Sequence, residues 1–477
     1  MKHDVLLLIG GVWRDSEHRE RLAIVNPATE EVIGTVAKAT VADLDEALAG
    51  AASGFAIWRA VAPFDRARVL RRAGDLLRER APAIAAMLTA EQGKPLSQAL
   101  AEVRGAADSI DWFAEEGKRC FGQVIPGRTR DTQVQTRLEP VGPVAAFTPW
   151  NFPVSQAVRK LAASLAAGCS IILKGPEEAP ASCAELVRAL ADAGLPPGAL
   201  QLVFGNPAEI SAHLIQHPVI RKVSFTGSVA VGKQLAALAG AHMKRTTMEL
   251  GGHAPVIVCE DANLDHAAAS LTKFKFFNAG QVCLSPTRFL VARTIYAPFI
   301  DRFAKETSKL KVGNGLAADT DMGPLANNRR VQVMEAFVED ALAHGGRLVC
   351  GGRRPRKSGY FYEPTVIADM STSARAMNEE PFGPLALVAP FDTVEEAVNE
   401  ANRLPYGLAA FAFTQSLTNE AYISERVQAG MLAINRVFQS MPEAHFGGIK
   451  DSGYGTEGGT HAILNFLTTK MITRVTD

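Results

Sequence analysis

The chain has 477 residues, of which 47% are hydrophobic and 21% are charged, a composition typical of ordinary globular proteins. Its length exceeds what one hydrophobic core supports, so we expect two or three domains. Fifty basic residues balance fifty acidic ones, and no charge excess indicates nucleic acid or an anionic membrane as a partner.

Cysteine usage and hydropathy favour a cytoplasmic protein. The six cysteines are unclustered and match neither a disulfide framework nor a C-x-x-C metal site. The apolar residues 5–9 are too few for a signal-peptide core. The apolar run between Lys160 and Lys174 is shorter than the roughly 18 residues that span a bilayer. We therefore expect no membrane segment and no bound metal.

Helices dominate the first 120 residues after an opening β-hairpin. Residues 41–56 place leucines and alanines at helical spacing. Asp65 is expected to cap the next helix. Pro82 is expected in the first turn of a separate helix that ends near Gly93. A further long helix is predicted at 99–118.

The pattern changes at residues 121–140. Gly122 and Pro126 interrupt the helix, and residues 132–138 alternate polar and apolar side chains as a strand does. Residues 462–475 have a similar β pattern and are able to supply a partner strand.

From residue 141 onward, strands alternate with helices. Short apolar runs, each followed by helical sequence, predict buried strands at 142–147, 170–173, 200–203 and 222–225. Strands separated by helices of this length favour a parallel, doubly wound sheet. A second α/β region begins at residue 254. Its predicted strands and helices lie at 254–258, 264–277, 288–291, 297–310, 328–345, 385–388, 393–403, 409–414 and 431–435.

One cysteine lies in a segment suited to chemistry. Residues 277–283 have the sequence FNAGQVC, and Pro286 prevents a continuous helix, so the thiol is expected on an irregular segment at a cleft wall. Glu249 precedes Gly251 and Gly252, where backbone can approach closely. A thiol and a carboxylate form a nucleophile and base pair if the fold brings them together. A free cysteine is more often an inert buried hydrophobe.

A second segment suits a dinucleotide. Residues 225–232, with the sequence FTGSVAVG, follow a predicted strand and open a helix. Gly227 and Gly232 make room, Ser228 offers a hydroxyl, and a helix N-terminus favours phosphate. The usual G-x-G-x-x-G fingerprint is absent.

Seven motifs, in order, resemble the NAD(P)-dependent aldehyde dehydrogenases of the non-acylating kind, almost from end to end. They are TPWNFP (148–153), LKGPE (173–177), FTGS (225–228), ELGG (249–252), FNAGQVC (277–283), EEPFGP (379–384) and FGGIK (446–450). The resemblance implies an α/β fold with a Rossmann-type, doubly wound cofactor domain, an α/β catalytic domain and a small β arm for oligomerisation. The implied bounds are 1–120 and 141–250 for the NAD-binding domain, 251–455 for the catalytic domain, and 121–140 and 456–477 for the oligomerisation strands. A homodimer or homotetramer is implied.

The resemblance also implies a mechanism. The thiolate of Cys283 attacks the aldehyde to give a thiohemiacetal, whose oxyanion accepts from the Asn151 amide and the Cys283 N–H. Hydride transfer to the nicotinamide leaves a thioester, and water deprotonated by Glu249 hydrolyses it. Without the resemblance, the sequence is equally compatible with Asn151 as a helix cap and with Glu249 as a structural carboxylate.

Cofactor contacts are implied for eight residues: Trp150, Lys174, Glu177, Gly227, Ser228, Leu250, Glu380 and Phe382. On the residues alone, Lys174 is a surface lysine and Glu177 begins a helix. A carboxylate at 177 accepts a ribose 2′-hydroxyl but repels a 2′-phosphate, so NAD is expected in preference to NADP.

The resemblance is greatest to dehydrogenases of succinate semialdehyde and of 2,5-dioxopentanoate. Arg159 matches a substrate-binding arginine of that subfamily, and Ser440 matches a serine that contacts the substrate carboxylate. Phe277 departs from the pattern, because these relatives commonly have arginine there. We expect a carboxylate-bearing semialdehyde, with oxidation of uncharged aliphatic or aromatic aldehydes as the alternative.

Three other classes of protein agree less well with these residues. A coenzyme-A-acylating enzyme does not use a water-activating Glu249. A cysteine hydrolase needs a histidine beside Cys283, and none lies in that segment. A non-catalytic NAD-binding protein has no need of Cys283, Glu249 and Asn151 together.

Overall fold

The computed structural model of the protein describes residues 3–439 and 441–475. Within them the strands are β1 (His3–Val5), β2 (Leu7–Ile9), β3 (Val12–Arg14), β4 (Arg21–Val25), β5 (Val32–Ala37), β6 (Val124–Pro126), β7 (Thr132–Pro140), β8 (Val144–Phe147), β9 (Ile171–Lys174), β10 (Leu200–Val203), β11 (Lys222–Gly227), β12 (Arg245–Leu250), β13 (Ala254–Val258), β14 (Pro286–Ala292), β15 (Arg347–Cys350), β16 (Thr365–Ala368), β17 (Leu385–Phe391), β18 (Ala409–Phe413), β19 (Met431–Ile434), β20 (Gly453–Tyr454) and β21 (Leu467–Val475).

The helices in these ranges are α1 (Val41–Trp58), α2 (Pro63–Gln92), α3 (Leu96–Glu116), α4 (Ser155–Ala167), α5 (Pro180–Asp192), α6 (Pro207–Gln216), α7 (Val229–Ala241), α8 (Leu264–Lys275), α9 (Tyr296–Ser308), α10 (Asn328–Ala343), α11 (Val394–Asn402) and α12 (Leu417–Arg426). None of these helices is both long and apolar enough to cross a membrane.

An eight-stranded sheet has the strand order β20-β12-β11-β8-β9-β10-β2-β3. The pairs that join β12, β11, β8, β9 and β10 are parallel. Every residue of β8 and β9 is buried, as in a sheet covered by helices on both faces. The chain runs from β8 to β10 in one direction and returns to β11 on the other side of β8. The carboxyl ends of β8 and β11 therefore border a topological switch point, where such sheets bind ligands.

A seven-stranded sheet has the order β15-β16-β17-β14-β13-β18-β19. Its central pairs, β14 with β17 and β13 with both β14 and β18, are parallel. The chain leaves the carboxyl end of β12 and enters the amino end of β13 three residues later. The carboxyl edge of the first sheet therefore meets the amino edge of the second. The predicted α/β class with a doubly wound parallel sheet is confirmed.

Two three-stranded sheets complete the fold, with orders β1-β5-β4 and β21-β7-β6. In the second, which we call the arm sheet, β7 and β21 pair antiparallel from Thr132 with Val475 to Pro140 with Leu467. The domain bounds expected from the sequence stay a prediction. One short strand within the range 251–455, β20, pairs with β12 of the eight-stranded sheet.

The predicted break at Pro82 is wrong, because α2 runs without interruption through that residue. Pro82 is exposed, while its neighbours Ala81 and Ile84 are buried. A long helix curves with its convex side toward solvent, where its hydrogen bonds lengthen, so a proline on that side disturbs the helix least. The predicted cap is also wrong. The helix begins at Pro63 after Ala62, and Asp65 lies within its first turn.

Candidate active site

Cys283 lies in an irregular loop between α8 and β14. Asn278 and Ala279 have left-handed φ angles of 50° and 53°, and Gly280 follows with a φ of 71°. A Cβ built on Gly280 would meet the carbonyl oxygen of Gly383 at 2.1 Å. Only glycine allows this approach, and it holds the loop against the segment that contains Glu380.

The Cys283 thiol lies among charged groups. Burial raises its pKa to about 12, with further upward contributions from the Glu380 and Glu249 carboxylates. Arg159 and the N–H of Cys283 itself act in the opposite direction. The thiol, both carboxylates and the guanidinium are therefore within electrostatic reach of one another. A nearby positive charge or hydrogen bond favours the reactive thiolate form of a cysteine.

Asn151 follows β8 and is buried. Its side-chain Nδ2 donates to the carbonyl of Gln281 at 3.0 Å, two residues before Cys283. An amide nitrogen carries two N–H groups, and this bond occupies one of them. The other has no hydrogen bond to a described residue. The alternative that Asn151 caps a helix is wrong, because α4 begins at Ser155 and its N-cap is Val154, which has no side-chain cap.

Glu249 lies near the carboxyl end of β12 and is 2% exposed. Neither carboxyl oxygen hydrogen-bonds a described residue, which is rare for a buried polar group and calls for a functional explanation. Burial and then the charge of Glu457 raise its pKa well above the ordinary value, against the opposing charges of Lys160 and Arg159.

Two charged neighbours of Glu249, Lys160 and Glu457, were missed by the sequence reasoning. Lys160 forms a buried ion pair with Glu457, and Ser224 donates to the same carboxyl oxygen at 3.3 Å. Lys160 is next to Arg159 in the sequence, and a charged pair inside an otherwise apolar helix was the available signal. Nothing in the sequence connects Lys160 with Glu457, which are 297 residues apart.

The glycine-rich turn between β11 and α7 forms a cradle. Ser228 caps α7 by accepting from the N–H of Val231, and the first turn of the helix is largely exposed. A Cβ on Gly232 would meet Leu250 Cδ2 at 2.3 Å, so the absence of a side chain lets α7 pack directly on β12. Thr226 Oγ1 is buried beside this turn without a described partner. These features fit a pyrophosphate group at the helix N-terminus.

The other predicted cofactor residues lie on both sides of the cleft between the sheets. Lys174, at the end of β9, pairs with Glu177 at 2.6 Å, and Glu177 also accepts from the N–H of Gly205. Across the cleft, Glu380 accepts from the N–H of Gly252 at 3.2 Å. Burial raises the pKa of Glu380 to about 7.

Trp150 joins the two sides through an edge-to-face contact with Phe382. The ring centroids are 5.7 Å apart, and Phe382 has a left-handed φ of 48°. Its carbonyl accepts from Arg330 at 2.9 Å. The lining residues therefore come from both sheets, as a dinucleotide lying across the cleft requires.

Two of the predicted substrate residues, Arg159 and Phe277, each contact a different aromatic ring. Arg159 is buried on α4, and its guanidinium lies 4.2 Å from the ring centroid of Phe446. Phe277 stacks on Phe152, with centroids 6.0 Å apart and an interplanar angle of 14°. Ser440 lies outside the described residues.

A cysteine hydrolase needs a histidine beside its thiol, and His253, in the segment that follows Glu249, does not supply one. His253 is buried, and its two ring nitrogens contact Thr287 Oγ1 and the carbonyl of Ala376. Burial and the charge of Arg288 hold its pKa well below the ordinary value. It is committed to structural contacts.

A cleft that combines a thiol, a nearby amide, a buried carboxyl and a dinucleotide cradle belongs to an oxidoreductase that acts on aldehydes. The chain belongs to the aldehyde dehydrogenase family, whose model matches residues 13–472. Enzymes of this family use NAD or NADP.

Individual relatives cover nearly the whole chain. It is 49% identical over 471 residues to the 4-(hydroxymethyl)benzenesulfonate dehydrogenase TsaD1 of Comamonas testosteroni, covering 98% of this chain and 97% of the relative. It is 38% identical to the NADP⁺ succinate-semialdehyde dehydrogenase GabD of Escherichia coli, covering 97% and 96% of the two chains. The crystal structure of succinate-semialdehyde dehydrogenase from Burkholderia pseudomallei superposes with a TM-score of 0.97 at 39% identity, covering 99% and 98% of the chains.

Proposed function

We propose that this enzyme oxidises an aldehyde bearing an anionic group to the carboxylic acid, with NAD as the hydride acceptor and without coenzyme A. The observation that carries the proposal is the position of Arg159. Its guanidinium is buried and close enough to Cys283 and Glu249 to shift both pKa values. A buried arginine at the reacting centre favours a substrate with a negative charge.

The chain's own groups support each chemical step. Cys283 releases its proton to water and adds to the carbonyl carbon as a thiolate, so that a C–S bond forms, the C=O π bond breaks and an oxyanion results. The second N–H of Asn151 and the backbone N–H of Cys283 donate to that oxyanion. Bound NAD supplies the acceptor for the hydride that leaves the same carbon, and a thioester to Cys283 remains. Glu249 then takes a proton from water, which hydrolyses the thioester and releases the acid.

The environment of Glu249 supports its proposed role as the base. A carboxylate with an ordinary pKa is a weak base at neutral pH, and burial raises the pKa of Glu249. Two oxygens without described hydrogen-bond partners are available to bind the attacking water. Because water is the acceptor of the acyl group, product should form in the absence of coenzyme A.

A preference for NAD follows from Glu177. Its carboxyl, held by Lys174 and the N–H of Gly205, would accept a ribose hydroxyl and repel a 2′-phosphate. We expect kcat/KM for NAD to exceed that for NADP by at least about tenfold, or about 1.4 kcal/mol. Equal kcat/KM values would overturn this part of the proposal. One relative, GabD, is named for NADP⁺.

A second candidate substrate class is an aromatic aldehyde with an anionic substituent. It is favoured by the stack of Phe277 on Phe152, since Phe277 takes the place of the arginine expected in semialdehyde enzymes. A relative that is 49% identical is named for a benzenesulfonate substrate. Arg159 above the ring of Phe446 is able to meet a sulfonate as well as a carboxylate.

Four aldehydes distinguish these candidates by kcat/KM. Succinate semialdehyde and butanal differ in the terminal charge, and 4-formylbenzenesulfonate and benzaldehyde differ in the same way on a ring. A charged member that is no better than its uncharged counterpart would remove the anionic substrate. Comparison of kcat/KM for the two charged aldehydes then decides whether the preferred substrate is aliphatic or aromatic. A protein that forms no NADH with any of the four would instead be the non-catalytic NAD-binding protein.

A further inference from the structure

The backbone carbonyl of Asn151 is held by an unusual pair of donors. The ammonium of Lys94 donates to it at 2.8 Å, and Asn278 Nδ2 donates at 2.9 Å. Lys94 follows the end of α2, whereas Asn278 belongs to the Cys283 loop. One carbonyl oxygen is therefore the meeting point of three separate chain segments.

Lys94 has no contact with bulk solvent. Its side chain is 0% exposed and that of Glu102, its ion-pair partner, is 2% exposed. The ammonium also lies 3.9 Å from the ring centroid of Phe152. Its donors are therefore directed to the Glu102 carboxylate, to the Asn151 carbonyl and toward an aromatic face, a geometry that leaves little freedom of movement.

Glu102 also fixes the start of α4. Its second oxygen accepts from the N–H groups of Val154 and Ser155 at 3.0 and 3.1 Å. These N–H groups belong to the N-terminus of a helix whose N-cap, Val154, has no side-chain cap. A carboxylate from α3 thus supplies the missing cap. The turn from Asn151 to Ser155 is tied down at both ends by one ion pair.

The Cys283 loop is tied to the same place. Asn278 keeps its left-handed conformation while its N–H donates to Gln98 Oε1 and its Oδ1 accepts from Gln92 Nε2, each at 2.9 Å. The end of α2 and the first turn of α3 therefore contact the loop that carries the thiol, while Lys94 between these helices contacts Asn151.

We propose that Lys94, Glu102 and Asn278 form a clamp that positions the Asn151 amide relative to Cys283 for oxyanion binding. None of the three touches the reacting atoms, so they are positioning residues. The inference rests on the proposed function, because it assumes that Asn151 donates to the oxyanion. A donor displaced by about 1 Å loses much of its effect on the rate, on the order of 100-fold in well-oriented sites.

A purely structural ion pair is the competing explanation, and it makes a different prediction. Replacing both members of a buried pair by neutral residues is often harmless to stability, whereas removing one leaves a buried charge unpaired. Lys94→Met alone should therefore lower the melting temperature. In Lys94→Met/Glu102→Gln the new glutamine is still able to cap Val154 and Ser155, so the melting temperature should recover.

The deciding measurement is the rate of the first NADH burst with succinate semialdehyde and with benzaldehyde at saturation. We expect the double variant to burst about 10- to 100-fold more slowly than the unsubstituted enzyme, although its stability recovers. The KM for aldehyde and the Kd for NAD should stay within about threefold, because the clamp contacts neither ligand directly. Asn278→Gly, which keeps the left-handed turn and removes the second donor, should slow the burst in the same way.

Glu91→Gln is the matched control. Glu91 is a buried carboxyl from the same segment that caps α5 through the N–H groups of Ala181 and Ser182, each at 2.8 Å. Among the described residues it hydrogen-bonds neither Asn151 nor a clamp residue, so the burst of Glu91→Gln should be unchanged.

Two results separate the possible failures. A double variant and an Asn278→Gly variant that both burst at the unsubstituted rate would show that the clamp is only structural, and the proposed function would stand. Absence of NADH from the unsubstituted protein with every aldehyde would remove the proposed function and the clamp with it.

Discussion

Glu249 provides the most direct test at the scale of single residues. Glu249→Gln should still release one NADH per site in a burst, because thiol attack and hydride transfer do not need the base. Steady-state turnover should fall at least about 100-fold, since general-base catalysis of deacylation is lost. Burst amplitude and steady-state rate are both read from NADH absorbance.

The pH profile of the same variant adds a second readout. A base acts when unprotonated, and burial raises the pKa of Glu249 well above the ordinary value. Turnover limited by deacylation should therefore rise with pH through that raised pKa and be lost below it. Glu249→Gln should lack this acid limb. Because Glu457 interacts with Glu249, the limb belongs to the pair. Cys283→Ala, the control, should bind NAD and form no NADH, and unchanged turnover by Glu249→Gln would contradict the assignment.

Motifs drew attention to Asn151, Glu249 and Cys283, but not to the residues that hold Asn151 in place. Asn151, Glu249 and Cys283 occur in short sequences whose turns and glycines are visible in one dimension. The support for Asn151 comes from Lys94 and Glu102. Lys94 is 57 residues away from Asn151, and Glu102 is 52 residues away from Val154. Buried ionisable pairs of this kind depend on tertiary packing, and no local propensity encodes them.

At the scale of elements, α2 shows how tertiary packing overrides a local signal. Pro82 removes a backbone donor and crowds the carbonyl four residues earlier, at a cost of about 3 kcal/mol inside a helix. Packing against α3 and α5 retains the helix. Pro82→Ala should therefore stabilise the protein, raising the melting temperature by about 2–5 °C.

A second proline in the same helix is the control for this effect. Pro63 is the first residue of α2 and is equally exposed, but its missing N–H would have no helical partner. Pro63→Ala should leave the melting temperature unchanged or lower it. Equal stabilisation by both substitutions, measured by calorimetry, would mean that Pro82 does not strain the helix.

The contact between α7 and β12 makes a separate prediction about cofactor binding. In Gly232→Ala the new Cβ collides with the buried Leu250 side chain and moves the first turn of α7 away from the sheet. Overpacking of this kind costs about 1–3 kcal/mol, so the Kd for NAD should rise at least about fivefold. Gly240→Ala, near the other end of α7, has open space around its Cβ and should bind NAD normally. Equal Kd values for the two variants would contradict the cradle.

On the scale of the whole molecule, the alternation of strands and helices predicted the doubly wound sheet. It did not predict how two sheets meet. The carboxyl edge of one faces the amino edge of the other because only three residues join β12 to β13. The edge-to-face contact between Trp150 and Phe382 bridges that junction. Periodicity reports which face of an element is buried, and not which distant element covers it.

The arm sheet supports the expectation of a homo-oligomer. The strand register places Ile125, Val134, Met471 and Val475 on one face of it. Met471 and Val475 are 69% and 67% exposed, and apolar side chains gathered on one surface mark an interaction site. An isolated strip of three strands also buries little apolar surface of its own. A second copy of this chain would cover the exposed face.

Met471→Asp should therefore reduce the mass measured by light scattering after size-exclusion chromatography, because a desolvated carboxylate opposes burial of the face. Circular dichroism should be unchanged, since the side chain supports no core in the single chain. Leu417→Asp is the matched control, because Leu417 is 81% exposed at the start of α12, remote in sequence from the arm sheet. A Met471→Asp protein of unchanged mass would exclude this face as the subunit contact. Loss of mass in both variants would point to general destabilisation rather than to the arm.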